Sequence, residues 1–301
     1  MDEQNKFKKH AFLIMAHDNP EMLSFLVAKL DNEYNDIFIH IDKKSDISLF
    51  SDIRTIRSTL NFTPPEDRVD VHWGDISQVE CEYVLFKQAY HTYPYAYFHL
   101  LSGVDMPLKS NEYIHNLFDI EYKGKEFVSV SFTASCLQSL VDHTQYYFLF
   151  NSILKGNTSL VNRIKGKVRS YVIRIQHKIG FRRTFGMELV KGHNWHSITN
   201  EACRYLIAKE KYVMRKMRYV CCPDEIFLQT LLWNSPFRDK FVSVDGGKEY
   251  TSLRHINWER GTPYVWSSSD YEELTATNAI FARKFSPTDY KFVESIINNA
   301  V

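Results

Sequence analysis

Four stretches of the 301-residue sequence carry side chains able to do chemistry. In the first, His17-Asp18, His40-x-Asp42 and His72 each close or follow a short apolar run. If those runs are parallel strands, the polar residues converge at their carboxyl ends, where open α/β sheets bind ligands. Histidines with a carboxylate also permit a divalent metal held by His17, Asp42 and His72, although no helical H-x-x-x-H pair and no Asp-x-Asp accompanies them. Taken singly, Asp42 is equally the cap of a turn. In the second, Ser102-Gly103-Val104-Asp105-Met106-Pro107-Leu108-Lys109-Ser110-Asn111, a glycine permits close backbone approach, Asp105 is a lone carboxylate, and Ser110 or Asn111 can cap the next helix. In the third, Cys221-Cys222-Pro223-Asp224-Glu225, a proline and two carboxylates open a helix that continues through Ile226, Phe227, Leu228 and Leu231. Acidic residues suit a helix N-terminus on electrostatic grounds alone, and one of the two, facing a site, can act as general base on a hydroxyl. In the fourth, Phe281-Ala282-Arg283-Lys284-Phe285 alternates apolar and basic residues, and Arg254 and Arg260 precede it. Two or three fixed cations of this kind neutralise a pyrophosphate without a metal.

The elements that must position these residues are visible in the hydrophobic pattern. Ala11-Phe12-Leu13-Ile14-Met15-Ala16 is continuously apolar, as in a strand buried on both faces of a parallel sheet. Asn19-Pro20 then reads as a cap with proline at the first helical position, and Met22, Leu23, Phe25, Leu26 and Leu30 recur at helical spacing. Residues 37–42, 69–73 and 97–101 are predicted as the second, third and fourth strands, with a helix over about 78–90. This alternation predicts an α/β fold with a Rossmann-like, mostly parallel central sheet and helices on both faces. Further on, 195–198 reads as a strand and 200 to about 209 as a helix, with no internal repeat and no flexible linker.

Composition narrows the classes. The chain is 44% hydrophobic and 24% charged with 11 Gly and 9 Pro, which excludes disordered and collagen-like architectures. Thirty-seven Lys and Arg against 36 Asp and Glu leave a formal charge of +1, so no global basic field points to nucleic acid. The charge is segregated, however: 155–183 holds nine Lys or Arg, no acidic residue occurs from 143 to 187, and the remainder carries 28 basic against 36 acidic residues. Leu160, Ile164, Val168, Tyr171, Val172 and Ile175 keep a helical stripe through this segment. It is predicted as an amphipathic basic helix, either solvated against the domain or lying on anionic lipid or an acidic acceptor groove. Five scattered cysteines, Cys81, Cys136, Cys203, Cys221 and Cys222, suit reduced thiols in a cytosolic protein. No window approaches the roughly 18 apolar residues of a spanning helix, so secretion and membrane spanning are not expected.

Taken in order, the segments His10-Ala11-Phe12-Leu13-Ile14-Met15-Ala16-His17, Ile39-His40-Ile41-Asp42-Lys43-Lys44, the loop 102–111, Gly192-His193-Asn194-Trp195, Pro223-Asp224-Glu225 and Phe281-Ala282-Arg283-Lys284-Phe285 carry a family resemblance. The sequence resembles the core-2/I-branching enzyme and peptide O-xylosyltransferase family of inverting glycosyltransferases, in a short bacterial form without a membrane anchor. The likeness spans most of the chain and lapses between about 135 and 191. It implies a single GT-A domain over 1–301, with a nucleotide-sugar-binding half (1–130), a basic helical insertion (131–190) and an acceptor and catalytic half (191–301). It implies a UDP-sugar donor, UDP-N-acetylglucosamine ahead of UDP-xylose, and no metal or other cofactor. Glu225 matches the family's catalytic base, Asp42 falls where the family contacts the uridine, His17 belongs to the same crevice, and Asp105 lies in the loop lining the donor pocket. Lys284 matches the cation that holds the diphosphate, with Arg260 as the second cation and Arg254 the alternative.

In the mechanism this implies, Glu225 takes the proton of an acceptor sugar hydroxyl as it attacks the anomeric carbon opposite the departing diphosphate, whose growing charge is met by Lys284 and Arg260 or Arg254. The expected partners are the UDP-sugar and a glycan or lipid-linked glycan acceptor, in the cytoplasm or peripherally at the inner face of a membrane through 155–183. Two rivals stand beside it: a metal-dependent transferase or hydrolase using His17, Asp42 and His72, and a noncatalytic glycan-binding module in which Trp195, Trp258, Tyr264 and Trp266 stack on sugars.

Overall fold

The first strand, β1 (His10–Ala16), sends Ala11 and Leu13 into one apolar layer and Phe12 and Ile14 into the other, so it sits at the centre of a sheet covered on both faces. The computed structural model describes residues 7–155, 159–244 and 249–299. β2 (Asn35–Ile41) and β4 (Tyr97–Ser102) run parallel to β1 on either side, with Leu13 opposite Phe38 and Leu100. With β3 (Thr59–Phe62), β6 (Phe127–Val128) and β8 (His196–Thr199) they form a six-stranded sheet in the order β3-β2-β1-β4-β8-β6, in which β8 is antiparallel to β4 and β6. Beside it lie a three-stranded sheet of β10 (Arg254–Ile256), β11 (Phe281–Arg283) and β5 (Asp105–Pro107), and a pair of β7 (Val130–Ser131) with β9 (Glu249–Tyr250).

The helices α2 (Ile76–Thr92), α6 (Asn200–Met217) and α7 (Phe227–Trp233) cover one face of the main sheet. On the other lie α1 (Pro20–Leu30), α3 (Asn111–Asn116), α8 (Tyr271–Ala276) and α9 (Val293–Asn299). The mostly parallel α/β architecture with helices on both faces is therefore the one expected. Outside these layers, α4 (Ala134–Thr144) and α5 (Leu160–Lys178) flank a small cluster of Tyr146, Phe148, Cys221 and Cys222. The five cysteines form no disulfide, and among the described residues no helix is long and apolar enough to cross a membrane.

One strand was misplaced by the pattern. Residues 69–73 do not join the sheet; its edge is β3, whose half-exposed Thr-Leu-Asn-Phe has no apolar run to announce it. The backbone at 69–71 is held to the end of β2 largely by side chains instead. Val69 N–H donates to His40 Nε2 at 2.8 Å, Lys44 Nζ donates to Val71 O at 2.7 Å, and the buried Arg68 donates to the carbonyls of Ile41, Asp42 and Ser45. Pro223–Glu225 is a single 3-10 turn ahead of α7, and α6 runs eight residues past the expected end, to Met217.

A row of buried polar groups crosses β8, β4 and β1. Arg254 Nη1 donates to Ser197 Oγ (2.8 Å), Ser197 Oγ to His99 Nδ1 (2.7 Å), His99 Nε2 to His10 Nδ1 (3.0 Å), and His10 Nε2 to the Asp119 carboxylate (3.2 Å). Every group donates in the same direction, which both imidazoles satisfy in the neutral form. Burial favours that form: it lowers His10 to about 4 and His99 well below the usual histidine range. His40 is likewise lowered to about 4, and His193 and His196 to about 3, again chiefly by burial.

These shifts set a pH dependence. An unfolded histidine binds its proton near 6.5 while these folded ones remain neutral, so their stabilisation is complete above that value and is lost as pH falls toward 4. At pH 5.5 each such histidine costs on the order of 1 kcal/mol. Glu82, Glu126 and Asp224, buried carboxyls whose values burial raises, act in the opposite sense but are three groups against the five histidines. Thermal unfolding followed between pH 7 and pH 5 should show a melting temperature that falls with pH; a flat profile would contradict neutral buried imidazoles.

Candidate active site

The carboxyl ends of β1, β2 and β4 open onto a pocket of about 150 Å³ whose walls include His17, Asp42, Gly103, Asn194, Trp195 and Arg283. Asp42 follows β2, and its two oxygens accept from Lys44 N–H (2.9 Å) and Lys44 Nζ (3.0 Å), so it caps the turn and walls the pocket at once. His17 stands exposed at the mouth, 3.5 Å from Asp18. Gly103 donates its N–H to Met15 O at 3.0 Å, and a Cβ there would lie 2.9 Å from that of Ala16, which is the close approach expected of this glycine.

Asp105 sits behind the pocket rather than in its wall. It accepts from Ser102 N–H (2.8 Å), Ser102 Oγ (2.9 Å) and Arg283 Nη1 (2.7 Å), and it faces Arg283 directly across the β5–β11 pair. The guanidinium it holds lies over the Trp195 ring, 4.3 Å from its centroid. Arg283 is thus the cation this pocket presents.

A second cavity, of about 500 Å³, is lined by Ser129, Ser131, Lys191, Glu225, Arg254 and Trp258 among others. The segment 192–195 runs between the two, giving Gly192 and His193 to the larger and Asn194 and Trp195 to the smaller. A Cβ on Gly192 would come within 1.9 Å of Ser129 O, while its N–H donates to Glu225 O at 3.1 Å, so only glycine lets this segment pass between the serine-bearing wall and the Glu225 turn.

The two carboxylates of that turn part company. Glu225 is partly exposed in the cavity, with Oε2 at 2.8 Å from Lys191 Nζ and no polar partner for Oε1 among the described residues. Asp224 is buried; Oδ2 accepts from Gln78 Nε2 at 3.0 Å and Oδ1 has no partner among the described residues. Burial first, and then the neighbouring Glu225, push the Asp224 carboxyl well above the usual carboxylate range. Of the two residues, Glu225 is the one with access to a ligand.

The expected cations are distributed unevenly. Arg254 lines the larger cavity, but Nη1 and Nη2 are engaged by Ser197 Oγ and by the carbonyls of Ser252, His196 and Leu100, leaving Nε unpartnered. Burial lowers Arg254 to about 9. Arg260 lines neither cavity: Asp270 (2.7 Å) and Glu273 (3.0 Å) draw it toward α8, where it lies on the Tyr264 ring. Lys284 lines neither, and its carbonyl accepts from Trp266 N–H at 2.8 Å. Trp195 and Trp258 reach the cavities, whereas Trp266 is fully buried and Tyr264 packs beneath Arg260.

His72 is 3.1 Å from Asp70 and lies outside the pocket lining. Among the described residues, ligating side chains gather within 4.8 Å in two places, His143 with Cys221 and Cys222, and His10 with His115 and Asp119. His17, Asp42 and His72 are not such a group. Sequence reasoning passed over Arg283 and Lys191. For Arg283 a clue existed, since it shares the alternating segment with Lys284 and strand parity places the two on opposite faces; nothing local marks Lys191.

The sequence profile of the family described as Core-2/I-Branching enzyme matches residues 10–279. A comparison with curated proteins found no match. Among solved structures, the apo form of mouse xyloside xylosyltransferase 1 is similar with a TM-score of 0.34 and 9% identity, over 91% of this chain and 97% of that one.

Two substitutions probe this geometry. Gly192→Ala should lower the unfolding free energy by about 1–3 kcal/mol in urea denaturation, because the added methyl collides with backbone. Asp224→Asn should leave the midpoint at pH 7 nearly unchanged, since it replaces a carboxyl already held in its neutral form; a large loss would mean that Asp224 is ionised.

Proposed function

The chain belongs to the Core-2/I-branching family of glycosyltransferases, and from that premise we propose that it moves a sugar, N-acetylglucosamine ahead of xylose, from a UDP-sugar to a glycan hydroxyl, with inversion and without a metal ion. The observation that carries this reading is Glu225, which offers one carboxylate oxygen to the larger cavity while Lys191 fixes the other at 2.8 Å. In that position Glu225 takes the proton of the acceptor hydroxyl as its oxygen attacks the anomeric carbon on the face opposite the leaving group, through an oxocarbenium-like transition state. A single displacement inverts the configuration.

We assign the UDP moiety to the strand-end pocket, which Asp42 and His17 line, with the uridine beside them. Arg283, Arg254 and Lys191 are cations that line the cavities; Lys191 is held by Glu225, and we assign the developing diphosphate charge to the two arginines, with Lys284 next in the chain to Arg283 and Arg260 turned toward α8. The metal-free reading is supported by the carboxylates themselves: Asp42 is engaged by Lys44 and Asp105 by Arg283. On the acceptor side, serine hydroxyls at 129, 131, 135 and 139 and the Trp258 indole suit sugar hydroxyls and a sugar ring face. In this reading residues 1–130 hold the nucleoside, 191–301 supply the base and the diphosphate cations, and 131–190 add part of the acceptor wall, in a cytoplasmic enzyme.

Donor binding followed by thermal shift, with a panel of UDP-, GDP- and CMP-sugars in EDTA and then with Mn²⁺, should show one UDP-sugar stabilising the protein equally in both. Stabilisation that requires Mn²⁺ would overturn the metal-free mechanism. Glu225→Gln should lower turnover at least ~10²-fold while donor stabilisation survives. Near-normal turnover in that variant would remove Glu225 from the role of base.

A further inference from the structure

Helix α5 is attached to the protein by the wrong face for an ordinary surface helix. Gln176 is its buried residue, and Gln176 exchanges bonds with both the N–H (2.9 Å) and the carbonyl (3.1 Å) of Tyr147. Arg169 donates to Leu149 O at 3.0 Å and to the Asn151 side chain. Its apolar stripe points the other way: Leu160, Ile164, Val168, Tyr171, Ile175 and Ile179 are between 41% and 71% exposed. At ~100° per residue these six fall within one arc of about 100°, with Arg163, Lys167, Arg174 and Lys178 along one border and Lys165 along the other. Phe150, also exposed, extends the apolar surface beneath Lys165.

We propose that this face of α5 docks on an anionic lipid bilayer, the helix lying in the interface with its apolar row among the acyl chains and its cations among the headgroups. Charge selects this occupant over a second copy of the chain. No acidic residue occurs between 143 and 187, so pairing two such faces would oppose cations with cations, whereas anionic headgroups complement them. Too polar to span a bilayer, the helix lies on it.

Docking there reaches the candidate base. Asn151, which receives Arg169, donates to Val220 O at 2.7 Å, and Cys221 N–H donates to His143 O at 3.0 Å, both within five residues of Glu225. The acceptor class that follows is a glycan carried on a lipid of the same bilayer, a step that rests on the transferase reading above, whereas the docking does not.

The test is co-sedimentation of the whole chain with vesicles of phosphatidylcholine alone and of phosphatidylcholine mixed with phosphatidylglycerol, with sedimentation velocity of the free protein. Binding is expected to the mixed vesicles and not to the neutral ones, weakening as salt is raised. Lys165→Gln and Lys167→Gln should each weaken it about fivefold. The double variant Ile164→Gln/Val168→Gln should weaken it roughly tenfold or more with an unchanged melting temperature. Equal binding to neutral vesicles, or none to the mixed ones, overturns the proposal. So does a dimer that the Ile164→Gln/Val168→Gln variant dissolves, which would make the face a self-interface. Donor turnover in EDTA on the same preparations separates the two readings: turnover without vesicle binding removes the docking alone, and vesicle binding without turnover removes the transferase reading alone.

Discussion

A guanidinium buried among strands is the constraint on which the rest of this structure depends. Arg254 draws on Leu100 of β4, His196 and Ser197 of β8, and Ser252 just before β10, so one side chain ties the central sheet to the smaller one. A charge in such surroundings needs partners for its donors, and Nη1 and Nη2 make four hydrogen bonds while Nε has none among the described residues. Part of that satisfaction is relayed through Ser197, His99 and His10 to Asp119, at the far end of β1. The segment 192–199, which divides the two cavities, is held where it is by bonds that begin at this residue.

Around that cation the site is built from pairs rather than from free charges. Asp105 holds Arg283 against Trp195, and Lys191 holds Glu225, while Gln78 keeps Asp224 turned away. Each pair restricts a side chain that would otherwise sample several rotamers, so the groups lining the cavities are oriented before a ligand arrives. The two cavities differ in kind: the smaller is bounded by strand ends and a fixed cation, the larger by hydroxyls, an indole and the carboxylates of Glu225 and Glu249.

How much of this was legible in the sequence depended on whether the deciding contact was local. β1, β2, β4 and α1 were visible because apolar runs and helical spacing are properties of adjacent residues. β3 was not, because an edge strand of mixed burial carries no apolar run, and 69–73 imitated a strand while side chains 27 and 29 positions earlier held its backbone. Which of Asp224 and Glu225 faces the cavity could not be read from their order, since Asp224 is held away by Gln78, 146 positions earlier. Arg260 looked equivalent to Arg254 until Asp270 and Glu273 were found to hold it. The α5 segment was readable as a basic amphipathic helix, but which face met the body was decided by Gln176 and Tyr147, a pairing no periodicity encodes.

The separation of charge along the chain gives the molecule a direction. Nine cations gathered in 155–183, set against an excess of eight anions elsewhere, amount to a large permanent dipole in a protein whose net charge is close to zero. Such a body feels little net pull from a distant charged surface but a strong torque as it approaches. It turns before it lands, so that a collision in any initial orientation tends to arrive with the same side down.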